Sequence, residues 1–330
     1  MKLGLHSYSY RHAAGLWDYT PQVNEPMSAV HFLRKAAELY LDGVFFCDPR
    51  HFESLDYGYA ATLRERATAL GQYLEIGMNG TNPAEVQDLV RAAHVLGSLT
   101  VRVSLDRPRP RTQEAMRALL AAAAEELAQA LPLCERYGIP LTIENTPNIT
   151  SAEVLELIEL TKSEWVRVCF DTGNPLVVLE DPLEAATSLA PLISTVHLKD
   201  YQVSARGDGL LLLGCALGEG VVDLVSVIDL ISSRAPAVSL NIETPVAKQA
   251  LPALEEEYLS HLPQASAAAL GRLLRLVRDR GLARVPPTAR EREASEEEVL
   301  AEEDDQVVRS VHWAQRTLVR PEAEDLQPGE

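Results

Sequence analysis

Four short apolar runs in the middle and later part of the chain each carry, at or near their ends, a side chain able to hold a metal or move a proton. Glu144 lies in Ile143-Glu144-Asn145 and Asp171 in Phe170-Asp171-Thr172-Gly173-Asn174. His197 lies in Val196-His197-Leu198-Lys199-Asp200 and Glu243 in Asn241-Ile242-Glu243-Thr244-Pro245. An acid at the buried end of an apolar run is costly unless it is paired or bound to a cation. A single such residue caps a helix or pairs with a lysine often enough; four on consecutive runs are read as a set. Three carboxylates and one imidazole suit one divalent ion of the Mg2+, Mn2+ or Co2+ type. No cysteine ligand is implied, so the pattern is not that of a structural zinc site.

Other side chains stand where they could meet a substrate. His6 closes the first apolar run, with Ser7 and Tyr8 beside it. It reads either as a core imidazole bonded to backbone or as a hydroxyl contact and proton donor. Glu75 lies within the third run and reads as a paired interior acid or a polar contact. Arg102 lies on the fourth run, pointing into the interior or out of it. Lys199 follows His197 by two residues and so shares its face of a strand. Arg206 sits in the long stretch 200–221, which could reach over a site. Together Arg102, Lys199 and Arg206 suit an anionic substrate or a sugar acid.

Positioning these residues falls to an alternating pattern. Strand-like runs at Lys2–Ser7, Gly43–Cys47, Tyr73–Met78, Thr100–Leu105, Pro140–Asn145, Val166–Asp171, Thr195–Lys199 and Val238–Glu243 alternate with amphipathic runs. The helical runs are Ser28–Leu41, Tyr59–Leu70, Pro83–Leu96, Gln113–Tyr137, Ala152–Thr161, Pro182–Leu189, Leu224–Ser233 and Ala265–Arg280. Asn82, Ser151, Asp181 and Asp223 are expected caps, and Gly43, Gly71, Gly97, Gly138 and Gly281 are expected stops. Eight strand–helix units in this length predict an α/β fold, a (β/α)8 TIM barrel, whose sites lie at the C-terminal mouth of the strands. No GxGxxG follows the first strand, which argues against a dinucleotide fold.

Two segments fall outside the repeat. Ser9–Met27, with Trp17 and Tyr19, is expected as a lid over the mouth. The division predicted is a catalytic barrel over residues 1–281 and an acidic extension over 282–330, helical or disordered. Within that extension Glu291–Asp305 is rich in acids, and Trp313 would pack on this subunit or a neighbour if the extension forms an arm.

The 330 residues carry 30 Lys and Arg against 48 Asp and Glu, a formal charge of −18. That balance argues against nucleic acid as a partner. No apolar run is long enough to span a membrane. Four cysteines without a CxxC read as reduced, packed thiols, and with no secretion signal visible the expected location is the cytoplasm.

The order and spacing of Leu141-Thr142-Ile143-Glu144-Asn145, Phe170-Asp171-Thr172-Gly173, His197-Leu198-Lys199-Asp200, Leu217-Gly218-Glu219-Gly220-Val221-Val222-Asp223 and Ile242-Glu243 resemble the xylose isomerase-like barrel proteins, the sugar phosphate isomerase/epimerase group. The resemblance covers about residues 1–281. It implies that Glu144, Asp171, His197 and Glu243 bind one divalent metal, and that Glu144 and Glu243 also move protons at a substrate carbon. It implies a carbohydrate substrate, a keto sugar or sugar acid, reacting through a metal-stabilised enediolate. His6, Arg102, Asn174, Lys199 and Arg206 are the expected substrate contacts. A homo-oligomer is an expectation by family analogy.

The chain departs from the ketose 3-epimerase pattern at two places: Asn174 stands where a His is usual, and Val203 where an Arg is usual. The expected activity is therefore of isomerase or epimerase type. The alternatives are a lyase of the same group, either a dehydratase or a decarboxylase of an oxo-sugar acid such as 3-oxo-isoapionate, and a non-catalytic metabolite-binding barrel. The endonuclease branch, with its three zinc ions, does not fit the few histidines or the charge.

Overall fold

Eight of the apolar runs pair side by side, all in parallel, and close on themselves. The computed structural model describes residues 1–16, 23–52, 56–105, 107–262 and 265–318. The strands among them are β1 (Lys2–His6), β2 (Gly43–Phe46), β3 (Tyr73–Asn79), β4 (Val101–Ser104), β5 (Leu141–Glu144), β6 (Val166–Asp171), β7 (Ile193–Leu198), β8 (Asp200–Arg206), β9 (Gly209–Cys215), β10 (Ser239–Ile242) and β11 (Lys248–Leu251). The barrel ring runs β1-β10-β7-β6-β5-β4-β3-β2, while β11, β9 and β8 form a separate antiparallel sheet. Crossover helices α1 (Ala29–Glu38), α2 (Tyr57–Ala69), α3 (Pro83–Leu96), α4 (Gln113–Ala128), α5 (Leu131–Tyr137), α6 (Ser151–Thr161), α7 (Pro182–Leu189) and α8 (Leu224–Arg234) wrap the ring. After β10 come α9 (Glu256–Ser260), α10 (Ala267–Arg280) and α11 (Glu296–Thr317). The sequence expectation of a TIM barrel is met. Strands covered on both faces read as continuous apolar runs, as Val44-Phe45-Phe46 does.

Local chemistry sets most boundaries. Asn82 accepts from the N–H groups of Ala84 and Glu85, and Gly97 ends α3 at a positive φ. Asp181 and Asp223 cap α7 and α8. The cap of α6 is Thr150 rather than Ser151, because Glu153 reciprocates in a capping box. The helix expected over Gln113–Tyr137 is split: Pro132 lacks an N–H and its ring clashes with the preceding turn, so α4 stops at Ala128 and α5 restarts at Leu131.

Below the mouth the barrel interior is polar but fully paired. Glu75 accepts from Thr195 and Asn241, each at 2.8 Å, and from Ser239. Tyr73 donates to Asn241 at 2.9 Å. Glu75 is thus the paired interior acid, its carboxyl raised above the ordinary value by burial despite those donors.

Residues 200–221 are not a loop over the mouth. β8 and β9 pair antiparallel, with Arg206 opposite Gly209, and β11 adds along β9. The turn Gly207-Asp208-Gly209 and the run Leu210–Leu213 were the signals for this hairpin. Trp17 and Tyr19 of the expected lid lie outside the described residues. The described part of that segment turns at Ser7–Tyr10 and is tied at its far end by Met27 N–H donating to Ala13.

The acidic stretch forms the helix α11, and it folds back on the barrel. Glu303, Gln306, Val307, Ser310, Val311 and Ala314 are buried. Glu303 accepts from the N–H groups of His12 and Ala13 at 2.9 and 3.0 Å. Gln306 donates to the carbonyl of Thr244 at 2.8 Å. Trp313 lies over Gly218, whose positive φ and absent Cβ make room for the indole. All four cysteines are buried and free. Among the described residues no helix is long and apolar enough to cross a membrane.

Candidate metal centre and active site

Register brings the four candidate ligands together. On the ladder, Asp171 of β6 and Asn241 of β10 both sit beside His197 of β7, and Glu144 of β5 sits beside Cys169. Alternation turns Thr195 and His197, Cys169 and Asp171, and Thr142 and Glu144 to the barrel interior. Glu243 follows β10 by one residue and keeps the inward phase of Asn241. Glu144, Asp171, His197 and Glu243 offer ligand atoms that all lie within 4.8 Å of one another.

The cluster is closely interlocked. His197 Nδ1 is 3.0 Å from Glu243 Oε2 and 3.6 Å from Glu144 Oε1. It is buried and makes no hydrogen bond. Its other ring nitrogen, Nε2, contacts Cys169 Sγ at 3.2 Å, which leaves Nδ1 aimed at the carboxylates. Asp171 Oδ1 accepts from the N–H groups of Gly173 and Asn174, both at 2.8 Å. Its Oδ2 meets Lys199 Nζ at 2.8 Å, and the same ammonium meets Glu243 Oε1 at 2.5 Å. A lysine cation thus already bridges two of the carboxylates. Hard oxygen donors, one aimed but unbonded imidazole nitrogen and a cation drawn to the same spot are a donor set that fits a divalent ion.

Burial works against ionising these acids, and the neighbours decide the outcome. It pushes Glu243 up, but Lys199, His6 and His197 hold its carboxyl well below the usual range. It pushes Glu144 up too, and Arg102 and His197 bring it below its ordinary value. Asp171 is raised to about 6, burial outweighing Lys199. Burial lowers the His197 imidazole, yet Cys169 and the two glutamates raise it well above its ordinary value.

The other expected contacts divide. His6 accepts from Tyr8 N–H at Nδ1, so its Nε2 carries the proton and faces Glu243 Oε2 at 3.4 Å. Burial keeps this ring neutral, far below its ordinary value. It stacks on Phe45 and meets the His197 ring edge-on. Asn174 lines the cavity with Oδ1 unbonded among the described residues. Arg102 points inward, but its Nε is 3.1 Å from Glu144 Oε2 and its fork is taken by the carbonyls of Met78 and Cys47. Lys199 is taken by Asp171 and Glu243. Arg206 is not at the site: the hairpin carries it to an exposed tip, where it pairs with Asp208 at 2.9 Å. The three cations therefore do not converge on a substrate anion.

Above the cluster opens a cavity of about 770 Å³. Glu144, Glu243, His6, Arg102 and Lys199 line its inner end, while Asp171 and His197 are fully covered. Tyr8, Arg11, Tyr201 and Lys248 line its sides, and so do Thr288, Arg290, Glu291, Val299 and Glu302 from beyond residue 281. Sequence reasoning missed this second group, since nothing in an acidic run shows which way it folds. Asp200 proves to be an anchor: it accepts from the N–H groups of Gly218, Gly220 and Val222, and so holds the Gly-rich motif in place.

Comparison with known proteins gives one family and several relatives. The chain is 28% identical over 227 residues to 3-oxo-isoapionate decarboxylase of Pectobacterium atrosepticum, covering 68% of this chain and 78% of that protein. A solved structure of D-psicose 3-epimerase in the presence of D-fructose matches with a TM-score of 0.63 at 15% identity, covering 96% of this chain and 99% of that one. A structure of IOLI protein with a binding zinc atom matches with a TM-score of 0.56 at 12% identity, covering 84% and 97%. These structural likenesses are likenesses of fold, and the named relatives include an epimerase and a decarboxylase. The xylose isomerase-like TIM barrel family matches residues 33–276, well over half of the sequence, and the chain belongs to that family.

Proposed function

We propose that this protein is a divalent-metal-dependent enzyme that enolises a keto sugar or an oxo-sugar acid, of isomerase or epimerase type. The observation that carries the reading is the gathering of Glu144, Asp171, His197 and Glu243 within 4.8 Å at the inner end of a large cavity. These four would hold the metal. When bound, it would act as a Lewis acid on the substrate's carbonyl and adjacent hydroxyl, easing the charge that develops as a proton leaves carbon.

The remaining work falls to the chain itself. Glu144 and Glu243 are both held ionised, by Arg102 and by Lys199 with His197, so each is ready to accept a proton. Carboxylates of low pKa are weak bases, so they need a carbon acid already polarised. His6 Nε2–H faces the same space and can donate to a substrate oxygen. Lys199 balances the negative charge of Asp171 and Glu243 and keeps both oriented.

A second reading, a decarboxylase, is favoured by the 28% identity to 3-oxo-isoapionate decarboxylase. It is also favoured by Asn174 and Val203; Val203 is buried in β8, away from the cavity. The same site would then stabilise the enolate left when carbon dioxide departs.

The test is proton NMR in D2O with ketoses, keto-sugar phosphates and 3-oxo sugar acids, with and without Mn2+ or Mg2+, and with carbon dioxide detection. Metal-dependent deuterium incorporation at a carbon next to the carbonyl is expected from the first reading, and carbon dioxide release from the second. Glu243→Gln should keep the melting temperature within a few degrees and lower kcat on the order of 10²–10⁴-fold. Near-normal turnover in that variant would sink the mechanism.

A further inference from the structure

At the mouth, backbone pairing between neighbouring strands stops where the candidate ligands begin. The last paired residues are Glu144 and Cys169 between β5 and β6, Asp171 and His197 between β6 and β7, and Leu5 and Ile242 between β1 and β10. Asp171 therefore lies past the end of its ladder with β5, and Glu243 past the end of the ladder with β1. A strand end that has left its ladder frays unless other groups take its N–H and C=O.

Three side chains take them. Asn145 Oδ1 accepts from Asp171 N–H at 2.7 Å, and its Nδ2 donates to the Asp171 carbonyl at 3.0 Å. Thr172 Oγ1 accepts from Lys199 N–H at 2.8 Å and donates to the Lys199 carbonyl at 2.7 Å. Ser9 Oγ donates to the carbonyl of Ile242 and accepts from Thr244 N–H, both at 2.9 Å. Those two groups bracket Glu243, whose own N–H donates to Leu198 at 2.9 Å. In each case one side chain serves both a donor and an acceptor of the next strand, as the backbone of a ladder residue would. Asn145, Thr172 and Ser9 are buried, and none of them lines the cavity. They hold the backbone that carries the ligands and not the space open to a substrate. A metal site keeps its ligands within ~0.2 Å of fixed distances, so slack in these strand ends would weaken its grip on an ion.

Resting on the reading of Glu144, Asp171, His197 and Glu243 as one metal centre, we infer that Asn145, Thr172 and Ser9 are positioning residues of that centre. They prolong the strand pairing by side chain and fix the spacing of the ligands before an ion binds.

The experiment is titration of the metal-free full chain with Mn2+, free ion being read from the paramagnetic resonance signal of its hydrated form. The melting temperature of each metal-free variant is measured alongside. Thr172→Val and, independently, Ser9→Ala are expected to weaken Mn2+ binding roughly 10–100-fold. Thr172→Ser keeps a hydroxyl and is expected to restore most of the loss. Thr100 makes a comparable bond at the opposite end of the barrel, its Oγ1 donating to the carbonyl of Pro140 at 2.9 Å. Thr100→Val is therefore expected to lower the melting temperature and leave Mn2+ binding unchanged. Circular dichroism checks that Thr172→Val and Ser9→Ala are folded; if one is not, the other decides, and loss of fold in both would make these residues part of the core and overturn the positioning role. So would a lower melting temperature with Mn2+ binding unmoved in both, a Thr172→Ser variant as weak as Thr172→Val, or an equal loss of Mn2+ binding in Thr100→Val. An unaltered chain that binds no Mn2+ loses the metal centre and the positioning role together, whereas an unaltered chain that binds it and variants that bind it equally well lose the positioning role alone.

Discussion

Arg102 shows how one side chain can be seen in a sequence and still not be understood. Its place on the fourth run was visible, but whether it pointed inward depended on the closure of the ring, and a substrate role was the natural expectation. In the barrel it is a counter-ion: its Nε lies 3.1 Å from Glu144 Oε2, beneath a nearly closed surface. Arg102→Met would leave a buried carboxylate without its cation, a loss that costs about 3–5 kcal/mol in comparable buried pairs. The sign on catalysis follows from the charge. Arg102 is the chief opponent of burial in holding the Glu144 carboxyl below its ordinary value, so without it Glu144 takes up its proton at higher pH. The acid limb of the kcat/KM profile should move to higher pH in the variant, with a lower melting temperature. An unmoved acid limb would show that Glu144 is not a titrating base. The four carboxylate and imidazole positions were legible because a costly residue type recurred at equivalent strand ends. Arg206 was misread because spacing alone does not distinguish a covering loop from a hairpin pointing away.

At the scale of elements, the barrel's own strands and caps were legible from periodicity and stop residues, and the pieces added to it were not. The hairpin of β8 and β9 hid in a stretch too short and too apolar to separate from a loop. Helix α11 hid because its buried face includes an acid, Glu303, where an apolar residue would have been expected. That acid carries a testable cost. Burial raises the Glu303 carboxyl to about 7, outweighing the two backbone N–H donors of His12 and Ala13. Its folded value is above its unfolded one, so its contribution to stability is greatest below the ordinary carboxylate range and is lost as pH rises through about 7. The full loss is on the order of 3 kcal/mol. The melting temperature should therefore fall as pH rises from about 4.5 to about 7, and Glu303→Gln should flatten that fall. Parallel slopes for the two proteins would rule this account out.

For the whole molecule, the proposed metal ties β5, β6, β7 and the end of β10 into one point. A ligand that binds only the folded state at a concentration about 100 times its Kd adds roughly 2.7 kcal/mol. Saturating Mn2+ should raise the melting temperature by several degrees over protein treated with EDTA, and Asp171→Asn should lose most of the difference. An identical melt in both conditions would count against the ion. The eightfold alternation was readable because each unit repeats the same burial problem; the way the last segment returns was not, since it depends on contacts between distant parts of the chain. That return has a consequence for how the protein is made. The ring shuts only when β10 pairs with β1, Leu240 beside Leu3, and α11 then grips both sides of the seam through Glu303 and Gln306. During synthesis the first strand emerges long before its partner. Until Ser239–Ile242 has been made, β1 presents one unpaired strand edge to the cell, and the helix that latches the seam, Glu296–Thr317, follows only after its partner strand.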